Sequence, residues 1–120
     1  MNETNLEGAG FMTRAIHAGQ EPDQAFGALA VPIYQTSTFC FDSVEDGMAK
    51  FDGTKDGYVY SRGGNPTRRA LELKMAAIEG GEDCVAAGSG MGAISSVLLT
   101  LLAAGDHVIV GDCVYGCTNV

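Results

Sequence analysis

A glycine-rich turn between an apolar strand and an apolar helix constrains the fold more than any other feature of this sequence. Glycine fills three of the five positions in Gly88–Gly92, directly after the apolar run Cys84–Ala87. A helix is predicted from about Met91 to Leu102, and a second apolar strand at His107–Val110. Strand, glycine turn, helix and strand in this order predict a βαβ unit with parallel strands and a right-handed crossover.

A glycine turn at the start of a helix has three interpretations. Its N–H groups lie at the positive end of the helix dipole and bind phosphate where glycines leave room for the anion. The spacing Gly88-x-Gly90-x-x-Ala93, with Asp112 after the second strand, also satisfies the alanine variant of the dinucleotide-binding fingerprint. A tight turn without a ligand is the third interpretation. The turn alone leaves all three open.

Residues 1 to about 40 contain little periodic pattern. Pro22 and Pro32 interrupt this segment, and Val31–Phe41 mixes apolar with hydroxyl side chains. Such a segment cannot bury its own apolar residues, so we expect an extended arm that packs on another domain or another subunit.

Two helices are predicted after the arm. The first starts at Ser43, with Asp46 as the second half of a capping box, and ends near residue 51. The second has Asn65 as its N-cap and Pro66 at its first position, where the missing N–H is not needed. Gly80–Gly81 should end this helix through a left-handed C-cap. Its apolar stripe consists of Leu71, Met75 and Ile78.

Composition excludes several classes of partner. Charged residues make up 18% of the chain, below the average of about 25%, so we expect much of the surface to be covered. A net charge of −8 disfavours nucleic acid, and the longest apolar run, Ile94–Ala104, is too short to span a membrane. The N-terminus has no signal pattern, so we expect a cytoplasmic protein with reduced cysteines. Cys113 and Cys117 have no paired histidine, so no metal site is expected.

Several motifs resemble one protein family. In chain order they are Thr13–Gly19, Val31–Phe39, Tyr58–Thr67, Ser89–Ala93 and Tyr115–Thr118. Together they resemble the Cys/Met-metabolism family of pyridoxal-phosphate (PLP) enzymes, which includes cystathionine lyases and synthases and methionine gamma-lyase. The resemblance implies an α/β fold, the large domain of a PLP-dependent transferase of the aspartate-aminotransferase type (fold type I). Only the N-terminal arm and the first βαβ unit of that fold would be present.

The resemblance also implies a domain division. Residues 1–62 would form an N-terminal arm that contributes to the neighbouring subunit's active site, and residues 63–120 would begin the PLP-binding domain. Lys50, Lys55 and Lys74 do not lie in the family's lysine motif. The lysine that binds PLP and the partner of the pyridine nitrogen are therefore expected outside this chain. By itself, the chain is expected to be an inactive fragment.

The resemblance assigns the cofactor contacts residue by residue. The backbone N–H groups of Gly90 and Met91 would hold the PLP phosphate, in agreement with the phosphate interpretation of the turn. Tyr60 and Arg62 would reach the phosphate from the partner subunit's arm, where the planar fork of arginine suits phosphate oxygens. Alternation along an extended segment would put these two side chains on one face. Ser61, which lies between them, is counted with the cofactor-binding segment.

Tyr115 and Cys117 are the residues expected to meet the substrate. By resemblance, Tyr115 lies over the cofactor ring and is placed to transfer a proton to the leaving group. Cys117 stands where methionine gamma-lyases typically have cysteine and cystathionine-processing relatives more often have glycine. A thiol narrows the pocket and gives a polarizable contact to a thioether. A buried structural thiol is the alternative.

The implied activity is PLP-dependent α,γ-elimination of L-methionine to methanethiol, ammonia and 2-oxobutanoate. A cystathionine gamma-lyase or gamma-synthase of the same family is the nearest alternative. A dinucleotide-binding oxidoreductase is the alternative from another class, and a non-catalytic relative comes third. The family implies a homo-oligomer, a dimer of dimers, that acts on a small amino-acid substrate.

Overall fold

Four α-helices and one short 3₁₀ helix form the regular structure of residues 6–119, which a computed structural model describes. The helices are α1 (Phe11–His17), α2 (Val44–Phe51), α3 (Pro66–Glu79), α4 (Gly90–Leu101) and the 3₁₀ helix Gly116–Thr118. The first five residues of the predicted arm, and residue 120, lie outside the described residues. The division at residue 62 stays a prediction.

Helix α3 begins and ends as its sequence predicts. The Asn65 side chain accepts a hydrogen bond from the Thr67 N–H, and Pro66 takes the first helical position. Gly80 ends the helix with a φ of 70°, in the left-handed region that a glycine adopts without steric cost. The Gly80 N–H donates to the Ala76 carbonyl, so the cap also satisfies a backbone group at the helix end.

Helix α2 is confirmed with the predicted N-cap. The Ser43 hydroxyl accepts from the Asp46 N–H at 3.1 Å. The Asp46 carboxylate is buried and lies 2.7 Å from the Lys50 ammonium and 2.5 Å from that of Lys55. Asp46 also accepts from the Asp42 N–H at 3.2 Å. One carboxylate therefore ties the start of α2 to its last turn and to the loop beyond it.

The arm contains a helix that the sequence did not predict. Helix α1 packs on α3, where the Arg14 guanidinium donates to the Ala77 carbonyl and the Lys74 ammonium donates to the Ile16 carbonyl. Ala18, just after α1, is almost fully buried. The expectation of an extended arm is therefore wrong for Phe11–His17. Contacts with a distant helix stabilise this short one, and local periodicity does not show them.

The two predicted strands do not form a paired βαβ unit. Residues 84–87 and 107–110 form no strand. In the part of the chain that the structure describes, the only β-pairing is an isolated antiparallel bridge between Thr38 and Tyr60. Val85 is 87% exposed and Ile109 is fully exposed. An apolar run supplies strand propensity, but a stable sheet also needs neighbouring strands to pair with. The described residues therefore give one helix between two unpaired segments where the sequence predicted a βαβ unit.

Contacts divide the chain into two compact units, Met1–Cys84 and Val85–Val120. The first contains α1, α2 and α3, and the second contains α4 and the 3₁₀ helix. Within residues 6–119, Ala18 and Ala76 are the buried hydrophobic residues. Among these residues no helix has both the length and the apolar character that crossing a bilayer requires.

Removing the Asp46 charge should destabilise the full-length protein in a pH-dependent manner. Lys50 and Lys55 hold the pKa of the Asp46 carboxyl well below its usual range. Its contribution is therefore complete above the unfolded pKa of about 4 and is lost as pH falls below that value. We expect Asp46→Asn to lower the urea midpoint at pH 7, and the gap from wild type to shrink between about pH 5 and pH 3.

The matched control for this measurement is Asp56→Asn, an exposed aspartate in the loop that follows α2. It should leave the midpoint near wild type at each pH. A gap between Asp46→Asn and wild type that stays constant with pH would contradict the role of the charge.

Candidate cofactor site

The start of α4 presents two backbone donors. The Ser89 hydroxyl accepts from the Gly92 N–H at 3.0 Å, and the Ser89 carbonyl accepts from the Ala93 N–H at 3.0 Å. Within residues 6–119 the N–H groups of Gly90 and Met91 have no acceptor. They lie at the positive end of the helix dipole, where an anion is stabilised. These are the two donors that the family resemblance assigns to a phosphate.

The glycines of the turn leave open space in front of these donors. A Cβ atom added to Gly88 or Gly90 would meet no other atom within 4 Å. At Gly92, by contrast, a Cβ would lie 3.0 Å from the Ser89 hydroxyl oxygen. The first two glycines keep the approach to the donors clear, and the third leaves room for the cap. The turn therefore fits a phosphate group.

Tyr115 and Cys117 lie close in the chain to a contact with α4. The 3₁₀ helix starts after Tyr115, whose carbonyl accepts from the Thr118 N–H at 2.8 Å. The Thr118 hydroxyl donates to the Met91 sulfur over 3.6 Å. Tyr115 is 69% exposed, and Cys117 is exposed too. Within Val85–Val120 the structure thus places the segment of both substrate candidates beside the first turn of α4, with their side chains accessible.

Tyr60 and Arg62 are brought together, but by a turn. The Tyr60 carbonyl accepts from the N–H groups of Gly63 at 2.9 Å and Gly64 at 3.0 Å. This turn sets the Arg62 guanidinium 5.1 Å from the centre of the Tyr60 ring, a cation–π contact. The two side chains lie close together as predicted, whereas the predicted reason, alternation along an extended segment, is wrong, because residues 61–63 form a turn. The glycines at 63 and 64 were the signal for a turn.

A cleft of about 420 Å³ lies beside this pair within the first unit. Tyr58 lines the cleft, and burial raises the pKa of its phenol. The centre of its ring lies 5.4 Å from the centre of the Phe39 ring, and the two rings are tilted by 36°. The remaining lining residues are Lys50, Phe51, Gly57, Val59, Tyr60, Arg62, Gly63 and Gly64. Arg62 gives the cleft a positive charge, which suits an anionic ligand, whereas the Lys50 ammonium is paired with the Asp46 carboxylate.

The hydroxyl and the backbone N–H of Ser61 both donate hydrogen bonds within the first unit. Its hydroxyl donates to the Thr36 carbonyl and accepts from the Asn65 side-chain amide at 2.9 Å, while its N–H donates to the Ser37 carbonyl at 2.9 Å. The Asn65 amide also donates to the Tyr34 carbonyl at 2.9 Å. These bonds tie the segment of Tyr60 and Arg62 to the residues before α2.

Three residues at the start of α3 support the site in ways that the sequence did not predict. The Thr67 hydroxyl donates to the Pro32 carbonyl and accepts from the Tyr34 N–H, each at 2.9 Å. Arg68 donates to carbonyls of the loop that carries Arg62. The sequence indicates Asn65 only as a helix cap, and its amide donors were missed. Nothing in the local sequence distinguishes Thr67 or Arg68 from ordinary polar helix residues.

Comparison with known proteins finds similar proteins in one family. A family model described as Cys/Met metabolism PLP-dependent enzyme matches residues 12–120. An L-methionine gamma-lyase of Porphyromonas gingivalis is 52% identical over 98% of this chain and 29% of its own length. The chain thus spans less than a third of the length of this curated relative.

Solved structures resemble the chain as well. One is described as an O-acetylhomoserine (thiol)-lyase of Campylobacter jejuni with N′-pyridoxyl-lysine-5′-monophosphate; its TM-score is 0.83 at 33% identity, over 92% of this chain and 27% of that one. A cystathionine gamma-lyase of Lactobacillus plantarum in complex with L-serine gives a TM-score of 0.76 at 43% identity, over 92% of this chain and 26% of that one. The backbone of this chain therefore follows that of both solved structures, although its described residues form no paired strands.

Replacing Asn65 by aspartate should separate its two roles. The Asn65→Asp variant would keep the oxygen that accepts from Thr67, since aspartate caps helices about as well as asparagine. It would lose the donors to Tyr34 and Ser61. We expect the amide of Ser61 to exchange roughly fivefold faster or more, as the loss of about 1 kcal/mol predicts, with α3 amides unchanged.

Hydrogen exchange of the full-length protein, resolved by residue, is the measurement. Asn65→Ala is the comparison, because it removes the cap as well and should accelerate exchange in the first turn of α3 too. Wild-type exchange at Ser61 in the aspartate variant would show that the amide donors do not hold the arm.

Proposed function

Because the chain belongs to the Cys/Met metabolism PLP-dependent enzyme family, we propose that it forms the phosphate-binding part of a methionine gamma-lyase. The proposed reaction of the full-length protein is α,γ-elimination of L-methionine to methanethiol, ammonia and 2-oxobutanoate. The observation that carries the proposal is the pair of N–H donors of Gly90 and Met91, which have no acceptor within residues 6–119 and lie beside the segment of Tyr115. The chain that holds them is 52% identical to an L-methionine gamma-lyase. The family match also excludes the dinucleotide-binding alternative.

The phosphate of PLP is proposed to lie at the first turn of α4. The N–H groups of Gly90 and Met91 would donate to its oxygens, as helix N-termini do for phosphate. The guanidinium of Arg62 would neutralise the charge of the phosphate, and the Tyr60 hydroxyl would donate a hydrogen bond to it. Both residues would come from the neighbouring subunit. Ser61 has its hydroxyl and N–H engaged within the arm, so its part is to hold Tyr60 and Arg62 in place.

Tyr115 is the proposed acid. PLP, when bound, supplies an electron sink that makes protons next to the substrate's amine labile. The phenol of Tyr115 would stack on the cofactor ring and give a proton to the departing sulfur of methionine. Its 69% exposure leaves the ring face available to a ligand.

A second subunit is part of the proposal. Several large apolar side chains of the first unit are exposed in the single chain, among them Phe26 at 93%, Ile33 at 83% and Leu29 at 78%. Exposed apolar area of this kind is typical of an interface. We propose a homo-oligomer, a dimer of dimers located in the cytoplasm, in which the arm of one subunit completes the site of another.

Full-length protein supplied with PLP and L-methionine is expected to form methanethiol and 2-oxobutanoate in equal amounts. Tyr115→Phe should keep the visible absorbance of the bound cofactor, because the phenyl ring still stacks. Its kcat should fall by roughly 10²- to 10⁴-fold, the usual contribution of a general acid. Product formation from cystathionine but not from methionine would instead favour the cystathionine gamma-lyase alternative.

Cys117→Gly should change the choice of substrate. If the thiol contacts the methionine thioether, the ratio of kcat/KM for methionine to that for cystathionine should fall by roughly 10- to 200-fold. Cys113→Gly removes a second exposed thiol four residues earlier and serves as the control, with an unchanged ratio. The two ratios are compared at equal PLP occupancy. Equal losses for both substrates in Cys117→Gly would assign that thiol a structural role only.

A further inference from the structure

The guanidinium of Arg68 spans the backbone of the loop that carries Arg62. One of its nitrogens donates to the Ser61 carbonyl at 3.5 Å and to the Arg62 carbonyl at 3.2 Å, and the other donates to the Gly63 carbonyl at 3.0 Å. Three consecutive carbonyl oxygens thus face one cation. The planar fork of arginine can reach such a set, whereas a lysine offers one compact ammonium.

A carboxylate on the same helix holds Arg68 in turn. Arg68 Nε lies 3.2 Å from Glu72 Oε1, one turn later on α3, and the Glu72 side chain is only 9% exposed. Arg69 lies 3.9 Å from the other Glu72 oxygen and 2.6 Å from Asp83. Because the carboxylate is shielded from water, its attraction to Arg68 is stronger than that of a surface pair. The loop is thereby fastened to a rigid helix.

The side chain of Arg62 is left available by this arrangement. It is exposed, lines the cleft and lies over the Tyr60 ring, while Arg68 binds only the backbone of its loop. The direction of the carbonyls matters for an anion, because a carbonyl oxygen turned toward phosphate would repel it. Arg68 keeps these three oxygens directed at α3. Arg68 therefore holds the loop in place and also keeps the carbonyl oxygens from repelling a bound phosphate.

We propose that Arg68 is a positioning residue for the cofactor phosphate, which acts by holding the backbone of the loop that presents Arg62 and Tyr60. This inference rests on the proposed function, since the phosphate is that of PLP. Arg68 itself touches neither cofactor nor substrate. Glu72 is the residue that orients it.

The test uses the full-length apoenzyme and two ligands that share a ring, PLP and pyridoxal, of which only PLP carries the phosphate. Arg68→Lys should weaken PLP binding roughly tenfold or more, the order expected when charge-assisted hydrogen bonds are lost, and leave pyridoxal binding unchanged. Arg14→Lys is the matched control, because the Arg14 guanidinium also donates to a backbone carbonyl, that of Ala77, rather than to the loop of Arg62. It should leave both affinities near wild type. Affinities are measured by fluorescence titration.

Combination with Arg62→Ala separates positioning from general stability. In the Arg62→Ala background, Arg68→Lys should cause little further loss of PLP affinity, because the group it positions is gone. Glu72→Gln, which keeps Arg68 but weakens its anchor, should show the same selective loss to a smaller degree. It provides the measurement if Arg68→Lys does not fold.

Three results would overturn the inference about Arg68. They are equal weakening of PLP and pyridoxal, additive losses with Arg62→Ala, and wild-type PLP affinity in both Arg68→Lys and Glu72→Gln. Failure of the proposed function looks different: the wild-type apoenzyme would not prefer PLP over pyridoxal, or Arg62→Ala would leave PLP affinity intact. The three results about Arg68 overturn only its positioning role. Failure of the wild-type apoenzyme to prefer PLP, or of Arg62→Ala to weaken PLP binding, overturns both proposals.

Discussion

The hydrogen bonds of the Asn65 side chain are the constraint on which the first unit depends. The residues before α2 form no sheet in the described part of the chain, so their backbone groups need other partners. Asn65 accepts from Thr67 to start α3 and donates to the Tyr34 carbonyl and the Ser61 hydroxyl. One side chain thus starts helix α3 and binds the segments of Tyr34 and Ser61 to the start of that helix. The loop of Tyr60 and Arg62 has its place because of this junction.

The features that the sequence predicted correctly are those decided within a few residues. Ser43 and Asn65 each accept from an N–H in the first turn of a helix, and Gly80 takes the left-handed conformation. Such caps depend on local geometry, so their residue types reveal them. Helix α1 and the unpaired strands show the opposite case. Their outcome depends on contacts with α3 and on the presence or absence of neighbouring strands, which no local pattern contains.

The candidate site divides along the same line. The N–H groups of Gly90 and Met91, which have no acceptor within residues 6–119, lie at a glycine turn that the sequence shows directly. The turn alone left three interpretations open, and the family resemblance assigned these two donors to phosphate. Two other contacts could not be predicted from the sequence. Thr118 and Met91 are far apart in the chain, and Arg68, which donates to its loop, looks like any other polar residue of a helix. The roles of these residues toward cofactor and substrate stay predictions.

The central claim is that Arg62 of one subunit serves the phosphate held at α4 of another. Hybrids of Arg62→Ala subunits with Tyr115→Phe subunits test it most directly, because a shared site leaves one intact active site in each hybrid dimer. The measurement is the rate of 2-oxobutanoate formation from L-methionine by purified hybrids, compared with each parent variant. Activity is predicted to return in the hybrids. Hybrids that form properly and remain as inactive as both parents would contradict the claim.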